Sequence, residues 1–131
     1  MTMKDRALVL LGHGARDPGW AAPLLQVQAM LAAARPGLAV EPAFLEFMAP
    51  TLEEAIAALA GRGMKRIAVV PVFLARGGHL KRELPARLDA LRRRHPDCTL
   101  RLAAAAGEAP EVIAAIAAHA AAQVVEPAGE P

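Results

Sequence analysis

The sequence predicts an α/β fold: a small doubly wound parallel sheet of four strands with helices on both faces. Three observations predict it. Four short β-like runs alternate with longer Ala/Leu-rich stretches. Runs such as residues 67–70 are continuously apolar, as in strands buried on both faces. The apolar residues include 32 Ala against 17 Leu, 9 Val and 4 Ile, a balance that favours closely packed helices around a few Leu/Val strands. Right-handed crossovers between successive strands then leave a small doubly wound topology.

Residues 7–11 form the first strand, and 12–19 a loop with three Gly and one Pro. Residues 20–34 form a helix in which Leu24, Val27 or Gln28, and Leu31 share one face. Pro36-Gly37 stops it, and residues 38–45 form the second strand. Thr51 and Glu54 have the spacing of a capping box, with Thr51 as N-cap and Glu54 reaching back. That helix runs to residues 61–63, where glycine supplies the left-handed turn. Residues 66–74 form the third strand, bulged or half-unpaired at Pro71, which has no N–H to donate. Residues 75–79 are a second glycine-bearing loop. Residues 80–94 are helical and restart at Pro85, a residue suited to a first helical position. Residues 99–103 form the fourth strand, 110–125 the last helix, and 126–131 a frayed tail.

A chain of 131 residues suits one domain, spanning 1–131, with little room for a second. Size scaling gives a folded surface of about 6,600 Å² against about 19,900 Å² unfolded, enough burial for a core without disulfides. A net charge of +2 is too weak to argue nucleic-acid binding, and aromatic residues for base stacking are scarce at 3%. Cys98 is the lone cysteine and fits a reducing compartment. The apolar run 7–11 is too short for a signal peptide, and no stretch approaches the roughly 20 apolar residues of a membrane span. The expectation is a soluble cytoplasmic protein, with no nucleic-acid and no membrane partner.

In open parallel sheets ligands bind beyond the carboxyl ends of the strands. After the first strand comes Gly12-His13-Gly14-Ala15-Arg16-Asp17, after the second Glu46, and after the third Arg76-Gly77-Gly78-His79. Two histidines and one carboxylate are thus expected to converge on one edge. Imidazole and carboxylate suit a borderline divalent ion such as Fe²⁺, Co²⁺, Ni²⁺ or Zn²⁺. Imidazole also accepts a proton near neutral pH, so ligand and proton acceptor are both open roles. The glycines beside both histidines let a bulky planar ligand approach the backbone. Arg16, Arg76, Lys81 and Arg82 lie near the same edge and can bind acidic groups. Blander roles suit the rest. Asp17 caps the following helix or acts chemically. Phe44, Phe47 and Phe73 belong to the core or line a pocket mouth. His95 stabilises a helix C-terminus, His119 is structural or exposed, and Arg92-Arg93-Arg94 is a solvated face.

The run from Leu8 through Gly12-His13-Gly14-Ala15-Arg16-Asp17-Pro18 resembles the opening of the class II tetrapyrrole chelatases. Phe44-Leu45-Glu46 with Pro50-Thr51-Leu52 resembles that family's second block. The segment Val69-Val70-Pro71-Val72-Phe73-Leu74, with Gly77-Gly78-His79 and Glu83-Leu84-Pro85, resembles its third. Order and spacing match over residues 7–90. Within the family the chain is most similar to the small, single-domain sirohydrochlorin cobaltochelatases (CbiX-like). The resemblance implies the chelatase-like fold and insertion of a divalent metal (Co²⁺ or Fe²⁺, or Ni²⁺) into sirohydrochlorin, with release of two pyrrole protons. It also implies cobalamin or sirohaem biosynthesis, or a nickel tetrapyrrole where nickel is the metal. It makes His13 and His79 the active-site histidines and metal ligands, and Glu46 their acidic partner. The many carboxylates of sirohydrochlorin give Arg16, Arg76, Lys81 and Arg82 a reason to be near the cleft, with Gly77 and Gly78 beside them. Larger relatives hold two such domains in tandem, so a homodimer is implied for the small form, and no permanently bound cofactor. Ala15 stands where a Ser is often found, and Glu83 where the family often has Asp. The His-rich segment and cysteine cluster that some relatives append are missing.

Three rival readings differ in class. A histidine phosphatase also ends its first strand in a His-Gly pair, but with an Arg before the His, where this chain has Gly12. A non-enzymatic metal or tetrapyrrole carrier would use the same histidines without turnover. In a third reading, the last helix is an interaction surface, because Val112, Ile113, Ile116, Val124 and Val125 cover more than one of its faces. Dimerisation explains that surplus as well as a foreign partner does.

Overall fold

In the computed structural model, which describes residues 4–124, the four apolar runs become β1 (Arg6–Gly12), β2 (Ala39–Phe44), β3 (Arg66–Pro71) and β4 (Thr99–Leu102). They form one parallel sheet in the order β2-β1-β3-β4. The helices between and after them are α1 (Ala22–Ala34), α2 (Leu52–Gly61), α3 (Gly78–Arg94) and α4 (Pro110–Ala121). The fold class is the predicted one, and the expected tail 126–131 lies outside the described residues.

Alternation along the strands sorts the core into two layers. Val9, Leu11, Ile67 and Val69 point to one face and pack with Leu52, Ile56 and Leu59 of α2 and Leu84, Leu88 and Leu91 of α3. Leu10, Val40 and Phe44 point to the other and pack with Leu24 of α1. On α1 the inner face is Leu24, Gln28 and Leu31 rather than Val27, and Gln28 Nε2 donates to the Val40 carbonyl at 2.7 Å. Both internal prolines sit where a missing N–H is tolerated. Pro42 is on the edge strand β2. Pro71 pairs with Leu11, while the β4 ladder stops at Val69–Leu102, so Pro71 is half-unpaired as expected.

Local signals hold well. Thr51 Oγ1 accepts from the Glu54 amide at 3.1 Å, and Glu54 Oε1 accepts from the Thr51 amide at 2.8 Å, closing the capping box. Asp17 is a cap: its carboxylate accepts from the Gly19 amide at 2.9 Å and starts a 3-10 turn, Pro18–Ala21. Trp20 belongs to that turn rather than to α1, and is exposed. On the outer surface Arg87 of α3 donates twice to Glu53 of α2, at 3.0 and 2.7 Å. These bonds hold the Glu53 carboxyl below its ordinary range and raise Arg87.

Two expectations need correction. α3 does not restart at Pro85: it begins at Gly78 and runs unbroken to Arg94. Proline inside a helix costs about 3 kcal/mol. Burying Leu84, Leu88 and Leu91 contributes about 1.5–3 kcal/mol each, so packing wins, with Pro85 on the exposed side. His79 therefore sits in the first turn of a helix, not in a loop. Phe44 and Phe73 are buried, but Phe47 is 59% exposed and is not part of the core.

α4 stands apart from this packing. None of its residues is buried, and its main contact within the chain is the 3-10 turn Ala106–Glu108 that precedes it.

Candidate functional site

β1 and β3 are neighbours at the centre of the sheet, and the helices that follow them lie on opposite faces. The crevice beyond their carboxyl ends is the topological switch point, where open α/β sheets place ligands. His13 directly follows β1, and His79 is the second residue of α3, reached from β3 by a short loop. Glu46 follows β2.

The first two loops are zipped together beyond the strand ends. The Leu45 amide donates to the Gly12 carbonyl at 3.0 Å, and the Glu46 amide to the His13 carbonyl at 3.1 Å. Gly14 makes this closure possible. Its φ is +87°, and a Cβ there would lie 1.9 Å from the Glu46 carbonyl oxygen. Gly14 thus serves loop against loop contact, whereas the expected role was room for a ligand. Gly77 and Gly78 do face open space, with nothing within 4 Å of a Cβ.

Each histidine is braced differently. The exposed His13 ring packs on buried Phe73, with centroids 4.2 Å apart and planes 31° apart. His79, 81% exposed, pairs through Nε2 with the carboxylate of Glu83, one helical turn on. Glu83 had no assigned role from the sequence. Its i,i+4 spacing from His79 is a usable signal only once both are known to share a helix.

The cations fall into two groups. Arg16 lies over the exposed Phe47 ring, 5.0 Å from its centroid, and Phe47 itself is held at φ +68°. Arg76 is drawn inward: its Nε is buried, makes no hydrogen bond and lies 3.7 Å from Glu108 Oε1. Lys81 and Arg82 are exposed on the first turn of α3. Glu108 was also missed by the sequence reading, since nothing local links a residue beyond β4 to a loop after β3.

His13, Glu46 and His79 therefore share one edge of the sheet, with the first two on loops joined by backbone bonds. They do not gather into a closed ligand set. Among the described residues no group of three or more His, Cys, Asp or Glu side chains is placed to hold a metal ion. Chemically the edge offers two accessible imidazoles, each able to take a proton or a borderline divalent ion, and an exposed carboxylate beside them.

The family model described as CbiX matches residues 7–123. A sirohydrochlorin cobaltochelatase of Methanosarcina acetivorans is 40% identical over 82 residues, which are 63% of this chain and 63% of that protein. The match spans less than two thirds of the length of the curated relatives. Among solved structures, a putative cobalamin-biosynthesis CbiX protein from Marinobacter aquaeolei VT8 superposes with a TM-score of 0.79 at 28% identity, covering 90% of this chain and 96% of that one. The sirohydrochlorin chelatase SirB from Bacillus subtilis subspecies spizizenii, in complex with cobalt, gives 0.76 at 25% identity, covering 91% of this chain and 51% of that one.

Proposed function

The chain belongs to the CbiX family, and on that premise we propose that it is a sirohydrochlorin chelatase, inserting a divalent metal into the macrocycle with release of two pyrrole protons. The observation that carries the reading is the placement of His13 and His79 on either side of the switch point between β1 and β3. The metal is substrate here. Co²⁺, Fe²⁺ and Ni²⁺ all suit imidazole, and cellular supply selects among them, with cobalamin or sirohaem biosynthesis as the setting.

In this proposal both histidines present the metal to one face of the macrocycle. With Nε2–H of His79 donated to Glu83, the Nδ1 lone pair is the one left for metal or proton. As the metal enters, two pyrrole N–H bonds break, and Glu46 or a histidine takes up each proton in turn and releases it to water. Arg16, Lys81 and Arg82 bind peripheral carboxylates. Arg76, committed toward Glu108, joins them only by exchanging that partner. Gly77 and Gly78 give the flat ligand room. A second copy of the chain completes the cleft, which is consistent with the open ligand set of one copy. A cytoplasmic location accords with the single cysteine, and no described helix is long and apolar enough to cross a membrane.

The test is anaerobic absorbance of sirohydrochlorin with Co²⁺, Fe²⁺ or Ni²⁺, with and without protein. Turnover over many equivalents that is lost in His13→Ala and in His79→Ala supports the proposal. Both side chains are exposed, so neither variant should unfold. A spectral shift that stops at one equivalent would make this a carrier. Full activity in both variants would remove the histidines from the reaction.

A further inference from the structure

The backbone after β2 is bent into a conformation that its side chain opposes. The Met48 amide donates to the Glu46 carbonyl at 2.9 Å across Phe47, which is held at φ +68°. A hydrogen bond from the amide of residue i+2 to the carbonyl of residue i, around a central residue at positive φ, is the rare and strained form of the γ-turn. Among the described residues Phe47 is the only one other than glycine with a positive φ. Glycine or asparagine would close the same turn with less strain, so the turn alone does not account for a phenylalanine.

The core does not account for it either. The Phe47 ring is exposed, whereas Phe44 and Phe73 are buried. A large apolar side chain that is strained at its backbone and left in solvent points to a function for the ring, because such strain persists where the surroundings impose it. Those surroundings are the joined loops. The Glu46 amide bonds to the His13 carbonyl, and Gly14, with no Cβ, admits the Glu46 carbonyl that closes the turn. Phe47 is thereby presented directly beside Glu46, at the edge that carries the histidines.

The ring has a charged partner. The Arg16 guanidinium lies over its face, 5.0 Å from the centroid. Arg16 is exposed and has Asp17 beside it in sequence and Glu46 on the adjoining loop, yet it forms an ion pair with neither, nor with any other described residue. Asp17 is occupied instead by the Gly19 amide. A guanidinium settled on an aromatic face is held without engaging its N–H groups, so its planar fork stays open to a carboxylate from outside the chain. The other cations of this edge differ: Arg76 faces Glu108, and Lys81 and Arg82 stand exposed on α3.

We infer that Phe47 is a positioning residue for substrate binding: its ring holds the Arg16 guanidinium ready for one peripheral carboxylate of the tetrapyrrole, and the strained turn after Glu46 is what presents that ring. The inference rests on the sirohydrochlorin reading above and deepens it, because it singles out the cation that is preset for an acidic side chain of the macrocycle. The physical basis is conformational entropy. A free exposed arginine samples many rotamers, and one already held in place loses less freedom on binding. Removing the ring face should therefore weaken binding and leave the chemistry of metal entry alone.

The test titrates metal-free sirohydrochlorin with the full chain and reads its absorbance change, for wild type, Phe47→Leu, Phe47→Tyr, Phe47→Gly, Arg16→Ala and the Arg16→Ala/Phe47→Leu double variant. Leucine keeps an apolar side chain without a ring face and should raise Kd roughly fivefold. Tyrosine keeps the face and should retain wild-type affinity. Phe47→Gly should bind as weakly as Phe47→Leu yet melt at or above the wild-type temperature, because it relieves the turn. In turnover the loss should fall on KM rather than kcat. The double variant should bind no worse than Arg16→Ala, since without the guanidinium the ring has nothing to hold. Equal affinity in Phe47→Leu and wild type, a Phe47→Tyr chain as weak as Phe47→Leu, or losses that add in the double variant would overturn the inference and leave the sirohydrochlorin reading standing. A wild-type chain that neither binds nor turns over sirohydrochlorin overturns both.

Discussion

Replacing Gly14 by Ala probes the closure of the first two strand-end loops. Two costs add. An L-residue in the left-handed region, here at φ +87°, loses about 1–2 kcal/mol. The new Cβ also meets the Glu46 carbonyl oxygen at 1.9 Å, and that atom is backbone, so no rotamer change relieves the overlap. Relief requires the loops to part. Parting them weakens the Glu46-to-His13 and Leu45-to-Gly12 hydrogen bonds, each contributing about 1 kcal/mol. The expected loss is therefore about 3–4 kcal/mol, a large share of the roughly 5–15 kcal/mol of a typical domain. Urea denaturation at one fixed protein concentration measures it, since self-association would otherwise shift the midpoint. Gly12→Ala is the control. Its Cβ would meet the Leu24 Cδ2 atom at 3.1 Å, the far end of a side chain that can yield, and should cost under about 1 kcal/mol. A Gly14→Ala chain within about 0.5 kcal/mol of wild type would refute the reasoning.

Three further outcomes follow from other parts of the fold. Gly78→Ala adds a methyl in open space at the start of α3, so stability should hold or rise by up to about 1 kcal/mol while sirohydrochlorin turnover falls; unchanged kcat and KM would mean the macrocycle does not approach there. Glu53→Gln should cost about 1 kcal/mol at pH 7, because the pair is partly exposed. Arg87 lowers the Glu53 pKa in the folded state, so this contribution is present above the unfolded value near 4.5 and is lost as pH falls through the folded value. Melting curves of variant and wild type should therefore draw together as pH falls below the unfolded value near 4.5, and a gap that stays constant down to full protonation of the carboxyl would count against the pair. Gly107→Ala places a Cβ 2.3 Å from the Leu74 Cα and should dislodge the turn before α4. The expected loss is about 2–3 kcal/mol; a melting temperature equal to wild type would show that the turn is not pinned.

What the sequence alone determined is what depends on neighbours within a few residues. Short β-like runs between Ala/Leu-rich stretches marked the four strands, and the Thr51/Glu54 spacing marked the start of α2, because burial and capping act over one or two turns. The strand-end rule also put His13, Glu46 and His79 on one edge, since the first two lie within two residues of a strand end and the third follows its strand by one short loop. The tertiary structure decided what depends on sums over distant contacts. Pro85 reads locally as a helix start, yet three leucines packed on the sheet carry α3 straight through it. Glu108 meets Arg76 only because β4 lies beside β3. Phe47 reads as core or as the rim of a pocket, and the turn after β2 decides against the core by holding it outward beneath Arg16. The apolar surplus of α4 was legible in its composition. That the same helix would bury none of its residues was not, because burial is set by where the chain beyond β4 lies against the sheet, a sum over contacts distant in sequence.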